Sequence, residues 1–416
     1  MYKEGDRERN RWIVVFLFLL VTLANYNIYI GFALKPYMVF SMIYLIVCIG
    51  SFRFVRFHLF EVAMVVFYLM YSLSGAFSIY PESSLRILVG IIIYLSCYLV
   101  MKSIIGQASE RVIIKSISMV GIFFNAMSLT LYSIGLKTVG FVLQGDRVYE
   151  YGLMLDRDYP RLIGLLQDPN FFVFYNTLFF AFYLTNAKGW MNKIGLLLVV
   201  VTNLLTFSRG GLMVMVVLFL LYMFLNPPMK QLKIITALTL SVSLGAYISI
   251  VYFKFQIFDI FTSRMKDFTE DGGSGRLDLW GRAWNYFTEY PFFGIGAFNF
   301  SDYNWHEYQD TLTVHNTYLD ILSESGLLGI FCYLLFILLV LYQLIEYKVY
   351  KKRPYLFLTF IGLVLQMGFL SVIINDMFFL YLAVLSTYMT KQEQEMQAYK
   401  SSVHLHVRKQ VKGGAI

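Results

Sequence analysis

Along this chain polar positions are sparse and bunched, and apolar stretches of helical length run between them. They fall at about 12–31, 36–51, 58–79, 84–101, 112–135 and 169–186, then at about 191–207, 209–226, 232–253, 325–345, 355–374 and 375–390. A membrane-crossing helix needs about 20 mostly apolar residues. The pattern therefore predicts an all-α polytopic membrane protein of about 12 transmembrane helices, the last pair short. Residues 1–253 would form spans one to nine, 254–324 a large extracytoplasmic loop, 325–390 spans ten to twelve, and 391–416 a polar, mildly basic tail. Charged residues from Lys3 to Arg11 lead straight into the first stretch, with no small-residue cleavage pattern after it. That arrangement fits a retained first span better than a removed signal peptide.

Composition agrees: 58% of residues are hydrophobic, 18% aromatic and only 14% charged, against roughly 25% charged in soluble chains. This excludes disorder, a basic nucleic-acid-binding domain and an ordinary soluble enzyme. The net charge of +8 has first to be read as topology. When connections are numbered alternately, the set holding both termini carries 22 of the 34 basic and 8 of the 26 acidic residues, leaving 12 and 18 for the other set. Basic residues favour the cytoplasmic side, so both ends are expected there. Cys48, Cys97 and Cys332 lie inside apolar runs without metal-like spacing, which points to small core residues. No internal repeat or matched pair of broken spans is visible, which weighs against an inverted-repeat transporter.

The outer connections carry the candidate chemistry. Asp168-Pro169-Asn170 reads as an N-cap with proline in the first helical turn, which places Arg161 just outside a helix start. There it would meet lipid phosphate or pair with Asp156 or Asp158. Ser208-Arg209-Gly210-Gly211 sets an arginine at the positive end of a helix dipole, where a cation is unfavourable. An anion held between that guanidinium and free N–H groups of Gly210-Gly211 would offset this; a snorkelling arginine with an acidic neighbour is the plainer reading.

In the large loop, Gly272 to Gly275 forms a flexible turn. The stretch 276–287 then spaces Trp280, Ala283, Trp284 and Phe287 as an interfacial amphipathic helix. Asp278 and Arg282, four apart, predict an ion pair, leaving Arg276 as the better ligand candidate. Tyr290-Pro291-Phe-Phe-Gly294-Ile-Gly296 ends that helix; with no βαβ context its G-x-G is a weak dinucleotide signal. His315, Leu319, Leu322 and Gly326 fall on one helical face. Asp320 and Glu324 fall on the opposite one, where neither would orient the imidazole. A helix N-terminus would keep His315 neutral and able to accept a proton, although a lone histidine beside a membrane also serves as a hydrogen-bonded structural group. His306 is its competitor on the outer side, and Asn316 is a further candidate. Two histidines without clustered carboxylates make a metal site improbable. The absence of a clear carboxylate pair argues against a two-acid hydrolase.

Taken in order, these segments resemble the bacterial O-antigen ligase and polysaccharide polymerase superfamily. The likeness lies in Arg161-Leu-Ile-Gly with Pro169-Asn170, in Ser208-Arg209-Gly210-Gly211, in Ser274-Gly275-Arg276 with Trp280 and the 291–296 turn, and in His315-Asn316 with Gly326 and Gly329. It covers about residues 158–390; the first five spans match in hydropathy alone. The resemblance implies a membrane glycosyltransferase akin to the GT-C type, in the bacterial cytoplasmic membrane. It implies inverting transfer, without metal or other cofactor, of glycans carried on undecaprenyl diphosphate. Carried over, Arg161, Arg209 and Arg276 become diphosphate ligands and His315 the base; Arg282, Asn316 and His306 are secondary candidates. Expected partners are the lipid-linked glycan, membrane lipids, and a flippase and chain-length regulator of the same pathway.

Polymerase and ligase differ in the acceptor, either another lipid-linked repeat unit or a lipid-anchored core sugar. The weakly matching N-terminal half favours polymerase, because each such enzyme faces a different repeat unit. A transporter or flippase would instead place ionisable groups deep in its spans. Outer aromatics (Tyr149, Tyr151, Tyr159, Trp280, Trp284, Tyr303, Trp305 and Tyr308) are candidates for stacking on sugars or for anchoring at the interface.

Overall fold

The computed structural model describes residues 11–52, 55–140, 148–156, 159–229, 231–233, 235–236 and 275–413. The predicted ninth span beyond its first residues, the first part of the large loop, Ser274 and Asp158 lie outside these.

Among the described residues four helices are long and apolar enough to cross a membrane: Leu59–Phe77, Pro81–Gln107, Glu110–Thr138 and Thr317–Glu346. Five shorter apolar helices accompany them: Arg11–Thr22, Pro36–Cys48, Trp190–Leu205, Arg209–Phe224 and Pro354–Gln366. We name α1 Arg11–Thr22, α2 Pro36–Cys48, α3 Leu59–Ser74, α4 Pro81–Gln107, α5 Glu110–Thr138, α6 Pro169–Thr185, α7 Trp190–Leu205 and α8 Arg209–Phe224. After them come α9 Arg276–Glu289, α10 Phe300–Tyr308, α11 Thr317–Glu346, α12 Val349–Lys352, α13 Pro354–Gln366 and α14 Asp376–Gly413.

Burial explains the order of packing. Nearly every side chain of α6 is buried, from Pro169 through Leu184, as an all-round apolar helix requires; α5, α7, α8 and α13 surround it. On the other flank α11 lies along α3, and α14 along α4. The outward faces are apolar too. On α11, Leu327, Phe331, Leu334, Leu338, Tyr342 and Ile345 form one exposed stripe, Phe331 being 66% exposed. A stripe of this length suits lipid rather than water.

The structure differs from the sequence pattern in four places. The stretch 12–31 is not one helix: α1 ends at Thr22, and Ile28–Tyr29 pairs with Ala33–Leu34 as a small hairpin, β1–β2. Three short strands, β3 Val148–Glu150, β4 Leu153–Asp156 and β5 Tyr159–Leu162, form an antiparallel sheet between α5 and α6, with Arg161 opposite Met154. The stretch 355–374 is helical only to Gln366 and irregular from there to Asp376. The polar tail continues α14 to Gly413 instead of leaving it.

A further break sits inside α11. Gly326 has φ 61° and ψ −159°, a conformation that favours glycine. The turn 291–296 is clipped onto this break. Ile295 N–H donates to Ser323 O at 2.9 Å, Gly296 N–H to Glu324 O at 3.0 Å, and Leu327 N–H to Pro291 O at 2.8 Å. Carbonyls and amides freed by the break are thus satisfied, as buried backbone groups must be. A Cβ on Gly294 would lie 2.4 Å from the Glu324 backbone, and one on Gly326 2.4 Å from the Phe292 backbone. The glycines of this motif permit backbone contact; they do not cradle a nucleotide.

Candidate functional site

Arg161 projects from β5. Its Nη1 lies 3.2 Å from Asp156 Oδ2, and its Nε donates to Thr206 O at 3.1 Å. The Asp156 pairing is the plainer of the two sequence readings, and the Thr206 bond adds a tie to the connection between α7 and α8. Asp168 caps α6 as expected, accepting from the N–H groups of Asn170 at 2.7 Å and Phe171 at 3.0 Å. Ser208 caps α8, accepting from Gly211 N–H at 3.2 Å and donating to Asn170 Oδ1 at 2.7 Å. One hydroxyl thereby joins the starts of two helices. Gly210 and Gly211 are in the first turn of α8, and the Gly211 N–H is already taken, so the expected pair of free amides is reduced.

Arg276 opens α9 after Gly275, which has φ 72°. Electrostatics place it with the others. Burial lowers the pKa of Arg276, Asp168 raises it, and Arg161 and Arg209 lower it further. Burial likewise lowers that of Arg161, opposed by Asp168 and Asp156 and assisted by Arg209. His315 is lowered first by burial and then by Arg276, and raised by Asp168. The three arginines and Asp168 therefore feel one another's charge, and His315 feels that of Arg276 and Asp168. With Asp156 counted, three cations face two carboxylates, an excess of one positive charge, which is a receptive place for an anion.

His315 is not on the helix, contrary to the one-face reading. Asn316 is the cap, its Oδ1 accepting from Tyr318 N–H at 3.0 Å and Leu319 N–H at 3.2 Å, and α11 begins at Thr317. His315 precedes it at φ 55°, a conformation uncommon outside glycine and concentrated at functional sites. Clamps on both sides hold it there. Its N–H donates to Ser371 Oγ at 2.9 Å, Thr317 N–H donates to Met367 O at 2.8 Å, and Thr317 Oγ1 donates to Leu370 O at 2.6 Å.

Arg282 needs correction. Its partners are Asn304 Oδ1 at 2.6 Å and Asp310 Oδ2 at 3.0 Å, with the guanidinium 4.1 Å from the Tyr308 ring centre. Asp278 is not its partner, because the fixed fold of 304–310 competes better than a flexible neighbour on the same helix. His306 stacks on Tyr80, ring centres 4.8 Å apart, outside the arginine group. The face of α9 that docks carries Leu279, Ala283 and Tyr286. Trp280 Nε1 donates to Val314 O at 3.1 Å, Tyr303 is buried, and Trp284, Trp305, Tyr149 and Tyr151 remain exposed.

Sequence reasoning missed the wider role of Asp168 and the whole 367–376 segment. Lys35 Nζ lies 2.6 Å from Asp376 Oδ2; Tyr37 donates to Asp376 Oδ1 at 2.6 Å and Tyr175 to Oδ2 at 2.7 Å. Lys35, Asp376, Tyr175 and Asp168 line one cavity of about 340 Å³. The available signal was Gln366, Ser371, Asn375 and Asp376 interrupting an apolar run. Among the described residues no group of three or more His, Cys, Asp or Glu side chains is placed to hold a metal ion.

Residues 194–334 match the family model described as O-antigen ligase. That span contains Arg209, Arg276, the 291–296 turn, His315 and Gly326, while Arg161 precedes it. The teichuronic acid biosynthesis protein TuaE of Bacillus subtilis (strain 168) is 26% identical over 217 residues, covering 47% of this chain and 42% of that protein. The chain thus spans less than half the length of this curated relative. Both findings support the superfamily likeness carried by the motifs, and with the apolar helices they describe a membrane protein.

Proposed function

We propose, taking the likeness to the O-antigen ligase and polysaccharide polymerase superfamily as premise, that the chain polymerises undecaprenyl-diphosphate-linked repeat units into a surface polysaccharide at the outer face of the bacterial cytoplasmic membrane. The observation that carries this is the electrostatic group of Arg161, Arg209, Arg276, Asp168 and His315. The relative's name, which speaks of teichuronic acid biosynthesis, is the reason to prefer a glycan as substrate. About twelve crossings with both termini cytoplasmic complete the proposal.

The chemistry follows from the residues. His315, kept neutral by burial and by Arg276, takes the proton of an acceptor hydroxyl. The hydroxyl oxygen bonds to the anomeric carbon from the side opposite the diphosphate. The bond from that carbon to the diphosphate oxygen breaks, its electron pair leaving with the diphosphate, and the configuration inverts. The charge gained by the leaving group falls on guanidiniums that can each bind it through two N–H groups. His315 then returns its proton to solvent.

His315→Ala and Arg276→Ala should leave the protein inserted but reduce glycan growth at least about a hundredfold, with single lipid-linked repeats accumulating. Gel analysis of lipid-linked glycans reads this, and normal chain lengths in both variants would overturn the assignment. Purified chain given one lipid-linked repeat unit as its only substrate should make a ladder of products. A reaction only when a different lipid-anchored acceptor is added would indicate a ligase instead.

A further inference from the structure

A second cavity is lined by Ser371, whose hydroxyl accepts from the His315 backbone N–H. It has a volume of about 210 Å³ and opens between α4, the 298–301 segment, the outer part of α11 and the 371–374 segment. Its polar lining comes from Tyr94, Ser301, Thr313, Asp320, Glu324 and Ser371, and its apolar walls include Ile87 and Ile374. Asp320 and Glu324 are each only 4% exposed. Glu324 is engaged, accepting from Tyr71 OH and from Phe300 N–H at 3.1 Å. Ser371 and Val314 interact with the Asp320 carboxyl group, while its buried Oδ2 has no hydrogen-bond partner.

A buried carboxylate oxygen without a donor is costly. The lining contains no lysine, arginine or histidine to supply one. The volume would hold roughly seven waters at about 30 Å³ each, similar to one pyranose ring. Apolar walls suit the faces of such a ring, and the unpaired oxygen suits one of its hydroxyls. Position agrees with this. The Ser371 hydroxyl that reaches Asp320 also holds the His315 backbone, so this cavity abuts the histidine through Ser371. The cavity lined by Asp168 belongs to the same histidine through charge. A base that serves two sugars needs one on each side, and the arginines with Asp168 occupy the diphosphate side.

We propose that the 210 Å³ cavity is the subsite for the acceptor sugar, with Asp320 Oδ2 accepting a hydrogen bond from a hydroxyl beside the one that reacts. This rests on the glycosyl-transfer reading above and deepens it. Asp320 is a binding residue here, and Ser371 positions both it and His315.

The test uses the purified full chain, lipid-linked repeat units accumulated by a host lacking it, and undecaprenyl diphosphate as a separate binding probe. Asp320→Asn should raise the KM for repeat units by about tenfold while binding of undecaprenyl diphosphate stays at the wild-type level. Gly90→Leu provides a variant that leaves both carboxylates in place. Gly90 lines the cavity and a Cβ there meets only Ile87 Cδ1 at 4.0 Å, so a leucine has room to start and takes up cavity space, and it should raise KM in the same way. Should Asp320→Asn fail to fold, Gly90→Leu decides. Unchanged KM in a folded Gly90→Leu chain overturns the subsite. Failure of the wild-type chain to bind undecaprenyl diphosphate or elongate repeat units would overturn the glycosyl-transfer reading instead.

Discussion

His315 combines three physical settings: a strained backbone, partial burial and the charge of Arg276. Its pKa is held below the ordinary histidine value of about 6.5. As a base it works when neutral, so activity should rise with pH along an acid limb lying below that value. Asp168 opposes the lowering. Asp168→Asn keeps a side-chain oxygen able to cap α6 but removes the negative charge, so the limb should move to lower pH. A pH–rate profile with the limb unmoved or raised would contradict this. At the other end of the bundle, Lys102 Nζ lies 2.7 and 2.8 Å from the two Glu61 oxygens, both residues fully buried. Glu61 also accepts from Tyr98 OH at 2.5 Å and from His58 N–H at 2.6 Å. Lys102→Met strands a buried carboxylate and should cost about 3–5 kcal/mol. Adding Glu61→Gln should recover most of that, since the amide oxygen still accepts from Tyr98 or His58. Thermal unfolding of the single and double variants in detergent measures the coupling.

At the scale of elements, most helices were legible because their signals are local. Asp168 with Pro169, Ser208 before Arg209 and the apolar runs between polar caps all mark helices that form where expected. What was not legible depends on distant partners. The break at Gly326 needs the 291–296 turn, thirty residues earlier, and Gly326 alone cannot announce it. Arg282 shows the same limit: spacing offers Asp278, and only the fold offers Asp310. Gly326→Ala combines positive φ with a backbone overlap and should destabilise by about 3 kcal/mol or more. Gly281→Ala is the matched control. Gly281 is interior to α9, with nothing within 4 Å of an added Cβ, so alanine should gain about 0.5–1 kcal/mol. Melting of the two variants should move in opposite directions.

For the whole molecule, composition identified the membrane as solvent and charge asymmetry predicts an orientation, while the site required tertiary structure. The arginine group is drawn from a sheet strand and the first residues of two helices that are far apart in sequence. The motifs nominated its members but not Asp168 as their common neighbour. Orientation is open to labelling, in a background where Cys48, Cys97 and Cys332 are replaced by alanine. Glu289→Cys, at the exposed end of α9, should react with a membrane-impermeant thiol reagent in intact cells. Lys351→Cys, exposed on α12, should react only after permeabilisation. The reverse pattern would invert the topology.

The clipped break in α11 bears on how the protein tolerates different membranes. A continuous helix would have to tilt or slide as a unit when the hydrocarbon layer thickens or thins. Here the 291–296 turn is bonded to both pieces, to Ser323 and Glu324 before the break and to Leu327 and Leu328 after it. The piece carrying Asp320 and following His315 is held in addition by the 367–372 segment. The break is thus a pinned joint: its bend is fixed by backbone bonds on both sides, so a change in bilayer thickness would have to be met by α11 and the 291–296 turn together.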